Sequence, residues 1–264
     1  DPDEDITPSL MVLPMGWSWS LWLCQKAHEE IGRVSGQADE DMICDRNVSS
    51  PLTYSNVKHA KYVDNFLCIG HDPISVASSA NALESHLNSR HLAVHEIMPV
   101  DTHATFAGID YDGVCKTAKV SHKRMWRLRL AIDHVLCCRS VSGAALEAII
   151  GHFTWAVLLR REALAILDQI YAFVRFAGPN RVPLWPSVAQ ELIHARSVLP
   201  LLFAQLDLKW SPEVYASDAS DLGMGVCVSK WDQSLVADVG RLAERWRYAQ
   251  EDFIGARASA LGTL

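Results

Sequence analysis

The sequence lacks the features that would place the protein in or across a membrane. It contains no run of about 18 uncharged apolar residues, the length that a membrane-spanning helix needs. Four of the first five residues are acidic, whereas the n-region of a signal peptide is basic, so we expect an intracellular protein without a secretory signal. With 264 residues, 49% of them hydrophobic, the chain suits one large or two small globular domains.

The seven cysteines include no C-x-x-C pair, so the sequence offers no such pair to a metal ion. They are scattered through apolar segments, which predicts buried free thiols in a reducing compartment. Cys24 and His28 lie four residues apart on a predicted helix and could begin a zinc site, but two further ligands are missing.

Charge is distributed unevenly along the chain. The net charge is −7, yet residues 116–181 hold eleven basic and four acidic side chains, a local charge of +7 that leaves −14 for the remainder. A phosphate-contacting lobe attached to a metal-binding acidic lobe would produce this asymmetry, and so would a solvated helix face. Lys123, Arg124, Arg127 and Arg129 share one predicted helix but not one face, so only some of them can contact phosphates together.

Residues 1–120 alternate strands, hairpins and helices, which is typical of an α+β fold. The predicted elements are a strand at Leu10–Pro14, a turn at Met15–Ser18, a helix from about Ser20 to Gly32, a loop at Gly36–Ser50, a hairpin at Lys58–Gly70 turning at Asp64-Asn65, a helix at Ile74–Ser89, a strand at His91–Ile97 and a hairpin at Thr105–Lys119 turning at Asp112-Gly113.

The pattern then changes to helices and returns to strands after residue 212. The predicted elements are helices at Ser121–Cys138, Ser142–Leu159 and Glu162–Phe176, a linker at Gly178–Pro186, a helix at Val188–Leu206, strands at Val214–Ser217, Gly223–Ser229 and Leu235–Asp238, and a helix from near Asp252. We therefore predict three parts, residues 1–120, 121–212 and 213–264.

The hairpin at Tyr62–Asn65 is the first candidate for chemistry. An exposed carboxylate on a rigid tight turn is a good ligand for Mg²⁺, which prefers oxygen donors. Two-metal phosphoryl chemistry needs two or three such carboxylates that converge on ions about 4 Å apart. An Asp-Asn pair is also common in ordinary hairpin turns, so the pattern alone leaves both interpretations open.

Five segments together resemble the reverse transcriptases of retrotransposons. Tyr62–Asn65 resembles the Tyr-x-Asp-Asp box, and Leu13–Ser18, about 48 residues upstream, resembles the Leu-Pro-x-Gly-x-Ser motif. The other three follow in the family's order: Thr105–Asp110 is similar to the hairpin that grips the primer, Ile149–Trp155 to the helical thumb and connection, and Tyr215–Ser220 with Gly223–Gly225 to the first strand and turn of RNase H.

The resemblance implies a partial polymerase palm at 1–120, a helical thumb and connection at 121–212, and the beginning of an RNase H-like β domain at 213–264. It implies an RNA template and a DNA primer as partners and Mg²⁺ as cofactor, bound by Asp64 and Asp218. The implied catalytic residues are Asp64, Asn65 and Asp218, and the implied nucleic-acid contacts are Gly16, Ser18, Tyr62, Gly108, Lys123, Arg124 and Arg127.

Three departures from the family predict little or no polymerase activity in this fragment. The family's first palm Asp and its fingers lie upstream of the Leu-Pro-x-Gly motif, beyond the start of this sequence. Asn65 replaces the second Asp of the box, and Ala258 or a neighbour stands where RNase H has a metal-binding Glu. Two other interpretations stay open: a non-catalytic module that binds RNA–DNA hybrid, and an unselected translated fragment that folds poorly.

Overall fold

The computed structural model describes residues 13–14, 16–17, 19–44, 50–220 and 222–241. The chain is a mixed α/β protein with small antiparallel sheets, which confirms the predicted mixture of helices and strands. It forms two compact units, one of residues 1–100 with 209–264 and one of residues 101–208. In the part of the chain that is described, no helix is long and apolar enough to cross a bilayer.

Seventeen helices and strands follow one another in the described residues. The first eight are α1 (Ser20–Val34), β1 (Lys58–Tyr62), β2 (Asn65–Ile69), α2 (Pro73–Asn88), β3 (His103–Phe106), β4 (Ile109–Asp112), β5 (Thr117–Val120) and α3 (His122–Cys137). The others are β6 (Ser140–Ser142), α4 (Gly143–Ala156), α5 (Gln169–Ala177), β7 (Arg181–Pro183), α6 (Pro186–Val198), β8 (Phe203–Gln205), β9 (Glu213–Ser220), β10 (Gly223–Lys230) and α7 (Gln233–Arg241). Short 3-10 turns lie at Asp39–Asp41, Val157–Leu159, Arg161–Ile166 and Leu199–Leu201.

In the first unit, α1 packs on α2 and β1, and α2 packs on β2. Local signals set the start of α2, because the carboxylate of Asp72 accepts the N–H of Ser75 at 2.9 Å and Pro73 occupies the first turn. The side chain of Leu83 is 2% exposed and forms the centre of this packing. The hairpin of β9 and β10 is exposed along almost its whole length.

The second unit holds the main hydrophobic core. The antiparallel sheet has the order β3-β4-β5-β8, and helices α3 to α6 enclose a core of fully buried side chains. The largest of these side chains in the second unit are Phe153, Phe173, Ile132, Leu146, Ile170 and Leu192. Each contributes about 1.5–3 kcal/mol by leaving water, so this core carries much of the stability of the unit.

Strands β3 to β5 belong to the same unit as the helices because β8, which follows helix α6, pairs with β5. Ala118 of β5 lies opposite Ala204 of β8. The predicted boundaries at residues 120 and 212 stay predictions, but the contacts place residues 101–120 in the same unit as the helices.

Two segments predicted as strands are not strands. Residues 235–238 belong to α7, because Asp232 caps the helix by accepting the N–H of Ser234 at 2.8 Å. The segment 91–97 pairs with no strand in the described residues, since its apolar side chains Leu92 and Ile97 are exposed instead of entering the core. Of the strand predicted at 10–14, residues 10–12 lie outside the described residues, and residues 13–14 are not in a strand.

The helical lobe also departs from its predicted boundaries. The third predicted helix is broken into the 3-10 turn Arg161–Ile166 and helix α5, and the C-terminal end of the fourth is replaced by a 3-10 turn and strand β8. The predicted linker contains β7, which pairs with β6. The predicted hairpin at 105–119 is a meander of three strands, and the helix predicted near Asp252 lies outside the described residues.

The cysteines are less buried than the apolar context predicts. All seven are free and none is fully buried. Cys44, Cys115, Cys137 and Cys227 are exposed, and Cys24, Cys68 and Cys138 are half-buried.

Candidate nucleic-acid and metal site

The hairpin with the Tyr-Val-Asp-Asn sequence turns one residue earlier than predicted. Tyr62 pairs with Asn65, so the turn consists of Val63 and Asp64, and Asn65 is the first residue of β2. The carboxylate of Asp64 is exposed and accepts a hydrogen bond from Nδ2 of Asn65 at 3.1 Å. The turn therefore presents Asp64 to solvent, while Asn65 supports it as a donor. The side chain of Tyr62 is 61% exposed beside them.

Val63 has an unusual backbone conformation. Its φ is +55°, in the left-handed region that a β-branched residue seldom adopts. Such a conformation costs about 1–3 kcal/mol and persists only where neighbouring groups hold it. The residue next to the candidate metal ligand is thus held in place by other parts of the fold.

Two side chains of α1 hold both backbone groups of Val63. Its N–H donates to Oε1 of Gln25 at 2.8 Å, and its carbonyl accepts from Nδ1 of His28 at 2.9 Å. Nε2 of Gln25 also donates to the carbonyl of Lys61 at 3.2 Å. These three hydrogen bonds join the helix to the hairpin at the turn.

The same helix begins directly after the Leu-Pro-x-Gly segment. Gly16 has a φ of +92°, and the N–H of Trp17 donates to the carbonyl of Pro14 at 3.3 Å. The hydroxyl of Ser20 donates to the same carbonyl at 2.7 Å and ties the first turn of α1 to the motif. Ser18, a predicted nucleic-acid contact, lies outside the described residues. The structure thus connects two motifs that are about 48 residues apart in the sequence.

Beneath the hairpin lies a group of buried cationic and imidazole side chains. Nζ of Lys61 is 2.9 Å from Nδ1 of His59 and 5.6 Å from the centre of the Phe66 ring. Burial lowers the pKa of Lys61 to about 8. Nε2 of His59 donates to the carbonyl of Ala38 at 3.0 Å, and burial followed by the charge of Lys61 lowers the pKa of His59.

One imidazole nitrogen of His28 is engaged by the hairpin, since Nδ1 donates to the carbonyl of Val63. Burial lowers the pKa of its imidazole, the hydrogen bond to Val63 acts in the opposite direction, and the charge of Lys61 lowers the pKa further. Its Nε2 is buried and finds no hydrogen-bond partner in the part of the chain that the structure describes. Cys24 is half-buried one turn away, and among the residues that the structure describes neither belongs to a cluster of three ligands.

The predicted metal ligands do not form a two-metal centre within the described ranges. Across those ranges, no three His, Cys, Asp or Glu side chains converge on a position that could hold an ion. Asp64 and Asn65 offer one carboxylate and one neutral amide. Asp218 is exposed on β9, opposite Gly225, and its Oδ1 accepts the N–H of Ala219 at 2.9 Å. The predicted ligands Asp64, Asn65 and Asp218 therefore do not fit two Mg²⁺ ions.

In the second unit, the predicted primer-gripping hairpin contacts the basic helix. Gly108 has a φ of +84° in the turn between β3 and β4, and a Cβ atom there would lie 2.8 Å from the guanidinium of Arg124. The same guanidinium lies 4.5 Å from the centre of the Trp155 ring, a cation–π distance. Arg124 therefore contacts the hairpin and α4 from its position on α3, while its side chain stays exposed.

Lys123 and Arg127 are the other two predicted phosphate contacts on α3. Both are exposed and make no ion pair in the described residues. They lie four residues apart, on one face of the helix. Arg129 is occupied, because its guanidinium is 3.9 Å from Asp133 and 5.1 Å from the centre of the Trp126 ring. Lys123, Arg124 and Arg127 stay predicted phosphate contacts, and Arg124 has in addition a packing contact with Trp155.

No protein-family model matches the chain, and no curated protein matches it in sequence. The resemblance to reverse transcriptases therefore depends on the five motifs. The roles of Gln25 and His28 are not among the predictions from the sequence. Their spacing of three residues places them on one helix face, which is a usable signal, but the sequence does not show what that face contacts.

Proposed function

We propose that the chain is a fragment of a retroelement RNA-directed DNA polymerase that binds an RNA–DNA primer–template but does not extend the primer by itself. In this proposal the first unit contains part of the palm and the start of an RNase H-like domain, and the helices of the second unit are the thumb and connection. The observation that carries it is the contact between α1 and the Asp64 turn, because Gln25 and His28 bring the two most specific motifs together.

Lack of extension follows from the ligand set. Asn65 can offer a carbonyl oxygen to Mg²⁺ but no negative charge to offset the ion. Asp64 is the only carboxylate of the box in this sequence, and two-metal chemistry needs at least two converging carboxylates. A magnesium-dependent primer-extension assay on the purified chain tests this part of the proposal, and robust extension would contradict it.

A second candidate function is a non-catalytic module for RNA–DNA hybrid. The exposed pair Lys123 and Arg127 favours it, because two cations on one helix face that make no ion pair with the described residues can contact neighbouring phosphates without any metal site. This candidate shares its binding surface with the first and differs in ancestry and in the absence of any metal-dependent step.

Binding to a primer–template hybrid at two salt concentrations, with and without Mg²⁺, is the experiment that tests both candidates. We expect affinity to fall steeply with salt, because released counterions drive phosphate contacts. Lys123→Gln and Arg127→Gln should each reduce the slope of log K against log salt by about 1. Lys26→Gln is the matched control, since Lys26 is paired with Glu29 at 2.6 Å and should leave the slope unchanged. A folded, soluble sample that binds no hybrid would exclude both candidates.

A further inference from the structure

We propose that His28 and Gln25 are positioning residues that hold Val63 in the left-handed conformation and thereby fix where the Asp64 carboxylate is presented. The two side chains take both backbone hydrogen-bonding groups of Val63, at 2.9 and 2.8 Å. A role of this arrangement in polymerisation rests on the function proposed above. The hydrogen bonds to Val63 and the conformation of the turn do not depend on that function.

The sequence of the turn itself opposes this conformation. The positive φ occurs at the first central residue, Val63, and not at Asp64. Hairpin turns with this pattern take glycine at that position, because glycine has no Cβ to clash. A valine there requires an external restraint, and the side chains that contact its backbone come from α1.

The hydrogen bonds also define the state of the imidazole. A carbonyl oxygen only accepts, so Nδ1 of His28 carries the proton that it shares with Val63. Nε2 is buried and has no hydrogen-bond partner among the described residues, so a second proton there would be a buried donor close to Lys61 without an acceptor in that part of the chain. The positioning role therefore belongs to the neutral Nδ1–H form of His28.

The test is an NMR measurement on the full isotope-labelled chain. A positive φ gives Val63 a strong intraresidue NOE between its amide and α protons, and amide exchange reports the protection of its N–H. In His28→Leu we expect loss of the strong NOE and exchange about ten times faster, since one partner of the turn is removed. His28→Asn places an amide donor near the position of Nδ1 and should retain the conformation.

Two further variants separate positioning from general stability. Leu83→Ala removes a fully buried side chain of the same unit, so the melting temperature of this variant should fall. The conformation of the Val63 turn should stay as in the wild type. The double variant His28→Leu/Val63→Gly should regain slow amide exchange at position 63, because glycine adopts the positive φ without restraint.

A His28→Leu variant that keeps the strong NOE and the slow exchange of Val63 overturns the proposal. So does loss of the turn in Leu83→Ala, or failure of Val63→Gly to restore it. Failure of the proposed function has a separate signature, which is absence of primer–template binding by the wild-type chain, and the turn measurements involve no nucleic acid.

Discussion

Nζ of Lys61 lies 2.9 Å from Nδ1 of His59 inside the first unit, where Lys61 is 9% and His59 2% exposed. Burial of a lysine disfavours its charged form, and the pKa of Lys61 falls to about 8 from its ordinary 10.5. The unfolded chain therefore binds more protons than the folded chain between these two pH values. The free energy of unfolding should rise with pH across this window and level off above it.

If Lys61 acts alone, the free energy of unfolding should increase by on the order of 3 kcal/mol from pH 8 to pH 10.5. Chemical denaturation of the wild type and of Lys61→Met at several pH values measures it, since methionine keeps the length of the side chain without the charge. The difference in stability between the two proteins should favour Lys61→Met below pH 8 and shrink towards pH 10.5. If the free energy of unfolding changes with pH equally in the wild type and in Lys61→Met, Lys61 does not cause the pH dependence.

The carboxylate of Glu191 on α6 caps the N-terminus of helix α5. Its Oε1 accepts the N–H of Gln169 at 2.8 Å, and its Oε2 accepts the N–H of Ile170 at 3.0 Å. Glu191→Ala should lower the free energy of unfolding by about 1–2 kcal/mol, because free N–H groups of the first turn lose their acceptor. Glu147→Ala on α4 is the control, since Glu147 is exposed and the described residues give it no partner. Equal effects of the two substitutions in a urea titration would contradict the capping role.

Gly108→Ala should destabilise the second unit. The new Cβ would lie 2.8 Å from Arg124, and the backbone φ of +84° is unfavourable for alanine. We expect a loss of about 1–3 kcal/mol in thermal unfolding. Gly151→Ala in α4 provides the contrast, because a Cβ there meets nothing within 4 Å, and alanine should stabilise the helix by about 0.5–1 kcal/mol. If Gly108→Ala leaves the stability unchanged, the side chain of Arg124 moves away from the new Cβ at no cost.

The thiols should react at different rates. Burial raises the pKa of the Cys68 thiol, and its Sγ lies 3.7 Å from the hydroxyl of Ser79. Because the thiolate is the nucleophile, iodoacetamide at pH 7 should modify exposed Cys137 well before Cys68. Peptide mass spectrometry over time measures the order, and urea-unfolded protein supplies the reference in which the difference should vanish. Early modification of Cys68 in the folded chain would contradict its burial.

Elements with strong local signals were predicted well from the sequence. The helix predicted at 20–32 extends to Val34, the one predicted at 74–89 is α2, and the one predicted at 121–138 is α3. Each has apolar side chains at helical spacing, and α2 has its own cap at Asp72. Both hairpin strands of β1 and β2 were also confirmed, although the turn between them was displaced by one residue.

Several of the wrong predictions lie where distant residues decide the local structure. Residues 203–205 look like the end of a helix but form β8 because β5 offers a free edge. The break before α5 reflects Glu191, more than 20 residues away. Asn65 looked like a turn residue but pairs with Tyr62, because Val63 is held by α1.

The sequence by itself determined the order of the motifs, the mixture of helices and strands, the uneven charge and the exposure of Asp64 on a hairpin. Only the tertiary structure decided that Gln25 and His28 hold Val63 and that Arg124 packs on Trp155. The physical reason is the range of the forces involved. Caps, propensities and periodicity act within a few residues, whereas Gln25 meets Val63 across 38 residues of chain, through a packing arrangement that no local pattern records.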